Sequence, residues 1–200
     1  KRQDTLRILM GSRSDNVSFE HGSATLNGLP VTWTNVDGLS VVTGAGDDTI
    51  SLLGKPLDKG TINLNGGTGN DTYLLATRYS TINLTDTSGI DTIDFSDATH
   101  AVKVDLARSG GQRQLIGGNN QLSIHSVIEN LTGSNYADML KGNSSNNIII
   151  GGAGNDTIWS GGAGRDILIG GLGSDLIRGG SGDDLLIGGT TFYDNNKPAL

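Results

Sequence analysis

The sequence predicts an all-β fold: a parallel β-roll or β-helix solenoid, with nonapeptide repeats in the second half and wider coils in the first. Three observations carry this. Glycine supplies 32 of the 200 residues, against about 7% in average proteins. Of the 21 acidic residues 19 are Asp, and only Glu20 and Glu129 are Glu. Asp competes with the helix backbone and favours turns, so this bias describes a chain of tight corners. The third observation is a repeat of nine residues: from Gly151 the chain reads GGAGNDTIW, then after Ser160 GGAGRDILI, GGLGSDLIR and GGSGDDLLI.

Composition also excludes several classes. With 34% hydrophobic and 4% aromatic residues, the composition argues against a conventional globular core built on large side chains, while 18% charged residues is too few for a disordered chain. The net charge of −7 has the wrong sign for a nucleic-acid-binding surface. Absence of Cys removes disulfides, thiolate metal sites and cysteine nucleophiles. No apolar run approaches the roughly 18 residues of a transmembrane segment. The chain opens Lys1-Arg2-Gln3 without an apolar signal core, and reads as a segment of something longer.

Taken in order, residues 1–38 alternate around Val31 and Trp33 and are expected to begin the stack or cap it. Three single loops follow: TGAGDDTIS from Thr43, GGTGNDTYL from Gly66 and DTSGIDTID from Asp86. Their sixth-position aspartates are Asp48, Asp71 and Asp91, and the runs Leu39-Ser40-Val41, Ile62-Asn63-Leu64 and Ile82-Asn83-Leu84 precede them as strands. Each is read as one wide coil, with Asp48 over Asp71 and Asp71 over Asp91. Asp86 and Ser88 depart from the loop pattern. Val102–Leu106 and Leu122–Leu131 read as strands around a polar insert, Arg108 to Asn120, and the run from Ile128 to Gly133 leads into the repeats.

Two weak copies, GSNYADMLK from Gly133 and GNSSNNIII from Gly142, precede the four strict ones. Glycines at the first, second and fourth positions let six residues turn a corner. The last three residues form a short strand whose middle residue (Ile158, Leu168, Ile177, Leu186) points inward. Two units make one flattened coil, and Ser160 is an extra residue expected to bulge one corner. Thr190 to Asp194 break the last loop, and Phe192 and Tyr193 are expected to cover the end. The expected parts are residues 1–132 (wider coils), 133–189 (nonapeptide roll) and 190–200 (tail or cap).

In such a stack Asp138 lies near Asp156, Asp156 near Asp175, and Asp166 near Asp184. Two carboxylates about 5 Å apart repel by roughly 3 kcal/mol at an effective dielectric of 20. No basic residue recurs at matching positions, since Arg165 and Arg178 are isolated. A cation must offset the repulsion, and carboxylates with backbone carbonyls are hard oxygen ligands that suit calcium over zinc or copper.

The pattern resembles the RTX (hemolysin-type) calcium-binding nonapeptide G-G-x-G-x-D-x-U-x of secreted bacterial proteins. The resemblance is strict over residues 151–187 and weaker back to Gly133. It implies a β-roll holding several Ca2+ ions between stacked loops. Carried over residue by residue, it implies one site from Gly151, Ala153 and Asp156 with Gly171, Gly173 and Asp175. It implies a second from Gly161, Ala163 and Asp166 with Gly180, Gly182 and Asp184. Asn147 replaces the aspartate of the Gly142 repeat, which weakens the site expected there. Asp138, Asp48, Asp71 and Asp91 are the remaining metal-ligand candidates.

Ile148, Ile150, Ile167, Ile169, Leu185 and Ile187 flank inward residues on one sheet and form an apolar stripe. It suits cover by this chain's own residues, a neighbouring domain of the parent protein, or self-association. His21, His100 and His125 are scattered, and no catalytic constellation is present. The expected function is a calcium-binding module of a secreted or cell-surface protein, folding on calcium binding outside the cell and exported by a one-step (type I) route. The alternatives are a polysaccharide-binding or polysaccharide-modifying β-helix, and an adhesin or surface-layer segment.

Overall fold

Alternating apolar and small polar residues build short strands, and glycine-bearing corners join them into coils. The computed structural model describes residues 4–189 except 21, 35, 55–56, 58–59, 77–80 and 119. Among these residues there is no helix, and the strands form three sheets of six, ten and four.

The ten-stranded sheet runs the length of the stack. Asn16–Glu20, Thr49–Leu52, Thr72–Leu75, Thr92–Asp94, Asn130–Thr132, Ile148–Ala153, Ile167–Leu172 and Leu185–Ile187 lie parallel in that spatial order. Period-2 alternation sends one residue of each strand inward. The register therefore stacks Val17, Ile50, Tyr73, Ile93, Leu131, Ile149, Leu168 and Leu186 in one column. All but Leu186 are at most 1% exposed, whereas Leu186, on the last described strand, is 44% exposed. At the other end Ser23–Leu26 and Leu29–Thr32 add two antiparallel strands. Residues 1–38 thus both begin the stack, through Thr5–Leu9 on Gly38–Ala45, and close its first edge.

The other wall of the coil changes along the molecule. In the first half it is the six-stranded sheet, where Leu39, Ile62, Ile82 and Leu122 align, as do Val41, Leu64, Leu84 and Ile124. In the second half it is the four-stranded sheet of Lys103–Asp105, Met139–Lys141, Thr157–Trp159 and Leu176–Arg178, with Val104, Leu140, Ile158 and Ile177 in line. Inward residues from all three sheets belong to one hydrophobic cluster.

Three details differ from the sequence reading. The run Leu122–Leu131 is not one strand: it is shared between Asn120–Ile124 in the six-stranded sheet and Asn130–Thr132 in the ten-stranded sheet. The polar insert contains a strand, Arg113–Gly117, antiparallel to Asn120–Ile124; alternation of Gln114 and Ile116 inward with Leu115 outward supports it. The apolar stripe does share one sheet face, but Ile169 is buried, Ile148, Ile150, Ile167 and Ile187 are half-buried, and only Leu185 is exposed. Adjacent strands put these side chains in register, so they cover one another. Phe192, Tyr193 and the expected tail lie outside the described residues.

Candidate metal centre

The corners of successive coils sit directly on one another because glycine removes the side chains between them. Gly171 has φ +101°, and a Cβ there would strike the carbonyl oxygen of Gly152. Only a residue without Cβ combines that backbone with that approach. Gly152 pairs with Gly171 and Ala153 with Leu172, while Ala163 bridges Ser181. The loops opened by Gly151 and Gly170 are therefore stacked, as are those opened by Gly161 and Gly179. Ser160 is buried and lengthens one step of the stack, which is 19 residues from Asp156 to Asp175 and 18 from Asp166 to Asp184.

This stacking lines up the sixth-position aspartates. Each turns Oδ1 to the backbone N–H of the corresponding residue one coil earlier. Along the ten-stranded sheet Asp15 N–H donates to Asp48 (2.7 Å), Asp48 to Asp71 (2.8 Å) and Asp71 to Asp91 (2.9 Å). Asp91 N–H then donates to Glu129 Oε2 (2.9 Å). The Asn147 side-chain amide donates to the Glu129 carbonyl, and the N–H groups of Asn147 and Asp166 donate to Asp166 and Asp184. The four-stranded sheet carries a second ladder, with Val102, Asp138 and Asp156 N–H donating to Asp138, Asp156 and Asp175. Fifth-position side chains brace the same corners: Asp47 accepts from Asn70 N–H, Asn70 from Ile90, Asn155 from Ser174 and Asn146 from Arg165.

The second carboxylate oxygen separates two kinds of corner. Oδ2 of Asp15, Asp48, Asp71, Asp156, Asp166 and Asp175 is buried and has no hydrogen-bond partner. A Cβ at Gly66, Gly151 or Gly170 would fall on the Oδ2 of Asp71, Asp156 or Asp175, so the loop-opening glycine makes room for that oxygen. Buried unpaired carboxylate oxygens are costly, and their regular recurrence marks a position for a cation. The degenerate repeats behave differently. Asp138 takes Ser134 N–H on Oδ2 at 2.5 Å and the Ser134 hydroxyl at 2.8 Å. Asn147 accepts from Asn143 N–H and donates to Glu129 and Asn143. In these two repeats the chain's own donors satisfy the corner.

Burial pushes the Asp71 carboxyl up to about 6, Asp91 to about 7 and Asp156 to about 6, with repulsion from neighbouring carboxylates adding to each and backbone N–H donors opposing. Burial also raises Asp138 and Asp166. A hard divalent cation such as calcium, if held by these oxygens, would supply the positive charge that the surrounding side chains lack.

The structure brings together Asp48, Asp71 and Asp91 in one ladder with Asp166 and Asp184, and Asp138, Asp156 and Asp175 in the other. Sequence reasoning missed Asp15, Glu129 and Asp86. Asp15 closes a loop with Gly11 in second position, as Gly44 is in the Asp48 loop, but the hairpin after it stretches the spacing to 33 residues. Glu129 has no glycine before it, and Asp86 occupies the place of a loop-opening glycine.

Comparison with known proteins agrees with this geometry. The chain matches the family model of the RTX calcium-binding nonapeptide repeat (4 copies) over residues 132–162 and 160–190. Comparison with the curated proteins finds none that matches. The RTX nonapeptide is a structural calcium-binding repeat rather than a catalytic one, and several copies imply several ions. Residues 132–190 of this β-roll belong to the RTX calcium-binding nonapeptide repeats.

Proposed function

We propose that the chain is a calcium-dependent folding module of a secreted bacterial protein, loose where free calcium is scarce and folded outside the cell. The observation that carries this is the recurrence of buried, partnerless Oδ2 atoms at the corners of stacked loops. In this reading one ion lies between the loops of Asp156 and Asp175, together with carbonyls of Gly151, Ala153, Gly171 and Gly173. Another lies between those of Asp166 and Asp184, with carbonyls of Gly161, Ala163, Gly180 and Gly182. Asp48, Asp71 and Asp91 hold ions in the wider coils of residues 1–132, and the saturated carboxylate of Asp138 makes its corner the weakest. Extracellular calcium modules bind at about 10⁻⁴–10⁻³ M. An ion at 100 times its dissociation constant stabilises the fold by roughly 2.7 kcal/mol. Several together tip the balance of a marginally stable, glycine-rich chain toward the fold, and a chain unfolded without calcium suits passage through a narrow export channel.

Far-UV circular dichroism during a calcium titration, with magnesium as control, tests the reading. The expected result is a cooperative gain of β signal between about 10⁻⁵ and 10⁻³ M calcium and none with magnesium, which dehydrates reluctantly and demands near-ideal octahedral geometry. A spectrum already β-rich in chelator, unchanged by calcium, overturns the folding switch.

A further inference from the structure

Asp86 takes the first position of its loop, where Gly66 stands one coil earlier, and its side chain is turned inward. It is 8% exposed, against 1% for Asp71 and 2% for Asp91. One oxygen from each of these three carboxylates lies within 4.8 Å of the others. Tyr73 holds the arrangement: its hydroxyl accepts Gly66 N–H at 2.7 Å and donates to Asp86 Oδ2 at 2.5 Å. Asp86 Oδ1 accepts Thr87 N–H, which fixes the other end of the carboxylate. A Cβ at Gly66 would meet both Asp71 Oδ2 and the Tyr73 hydroxyl, so Asp71 Oδ2 lies beside the hydroxyl that binds Asp86. No N–H or hydroxyl donor reaches that oxygen, on a side chain that is 99% buried, and what faces it is the Asp86 carboxyl.

No cationic side chain among the described residues pairs with the three; the further charges acting on Asp71 and Asp91 are those of Asp48 and Glu129, both negative. Three buried carboxylates this close repel one another as they ionise, and no positive charge offsets that repulsion among the described residues. The ion pairs of the described residues, Lys141 and Arg108 with Asp105, lie elsewhere on the surface.

We propose that Asp71, Asp86 and Asp91 form a three-carboxylate site for a hard divalent cation of the calcium class in the wider coils, outside the nonapeptide repeats, with Tyr73 positioning Asp86. The proposal rests on the reading of stacked corners as ion sites and adds to it a third carboxylate in place of a glycine. Carboxylate count sets affinity in oxygen-ligand sites, so this site fills before the two-carboxylate corners.

Calorimetric calcium titration of the full chain tests this, beside terbium luminescence excited through tyrosine. Asp86→Asn keeps an acceptor for the Tyr73 hydroxyl and removes the charge. It is expected to bind one fewer ion and to lose the tightest phase, or to weaken it at least about tenfold. Tyr73→Phe is expected to lose the part of the sensitised terbium emission that belongs to the tightest phase while still binding the ion. Where Asp86→Asn fails to reach the wild-type spectrum in saturating calcium, Asp86→Gly, which restores the loop-opening glycine, is expected to show the same loss. Unchanged stoichiometry and unchanged tightest phase in these variants overturn the site. Asp156→Asn separates the two levels of inference. If it loses ions while Asp86→Asn does not, only the three-carboxylate site falls; if the wild-type chain binds no calcium, the module reading falls with it.

Discussion

At the corners of Asp48, Asp71, Asp156, Asp166 and Asp175 one aspartate does two jobs: Oδ1 ties its coil to the previous one, and Oδ2 is left without a donor. The second job makes the fold sensitive to pH. Asp71, Asp91 and Asp156 are raised from 3.8 to about 6, 7 and 6. The folded, metal-free chain therefore binds more protons than the unfolded one above pH 4. The stability these three groups contribute is full below the unfolded pKa and is lost as pH rises through 6 to 7. Calcium must displace those protons, so the calcium midpoint at pH 5.5 is expected to lie above that at pH 8. Equal midpoints would count against these carboxylates as ligands. A second residue-scale prediction concerns Gly171: replacing it with Ala forces a Cβ onto Gly152 O at φ +101°. The expected loss is on the order of 3 kcal/mol, read as a lower denaturation midpoint in saturating calcium.

Strands of three residues survive because each is one rung of a long column. Leu168 is fully buried between Ile149 and Leu186. Leu168→Ala is expected to cost about 2–5 kcal/mol, while Leu186→Ala, at the exposed end, is expected to cost about 1 kcal/mol. Equal costs in urea denaturation would mean that the column is not packed as described. The elements most legible in the sequence were those with both a glycine corner and an apolar middle residue, such as Thr157–Trp159. Arg113–Gly117 was read as insert because its alternation is short and its strand is antiparallel, paired through a local turn rather than through the period of the stack.

Across the whole molecule, the ten-stranded sheet joins the wider coils to the repeats without a break. A solenoid of this kind has stability close to a sum of coils and their interfaces. Amide exchange in saturating calcium is expected to be fastest at Leu185–Ile187, the last described rung, and slowest around Asn130–Trp159. A uniform exchange rate would indicate one all-or-none unit instead. Among the described residues no helix is long and apolar enough to cross a membrane.

The nine-residue period, the glycine corners and the inward column were readable from sequence alone, because each depends on a residue's neighbours within one coil. The stacking of Asp156 on Asp175 followed from the same period. Tertiary structure alone decided which corners are neighbours where the period is broken. The hairpin after Asp15 and the excursion between Asp91 and Glu129 place residues 33 and 38 positions apart on adjacent rungs. It also decided which carboxylates keep a free oxygen: Ser134 saturates Asp138, whereas no donor reaches Asp156 Oδ2. Asp86 shows the difference most directly. As sequence it is a flaw in a glycine pattern, and in the fold it is a third charge beside Asp71 and Asp91, because the adjoining coil and the Tyr73 hydroxyl meet it there.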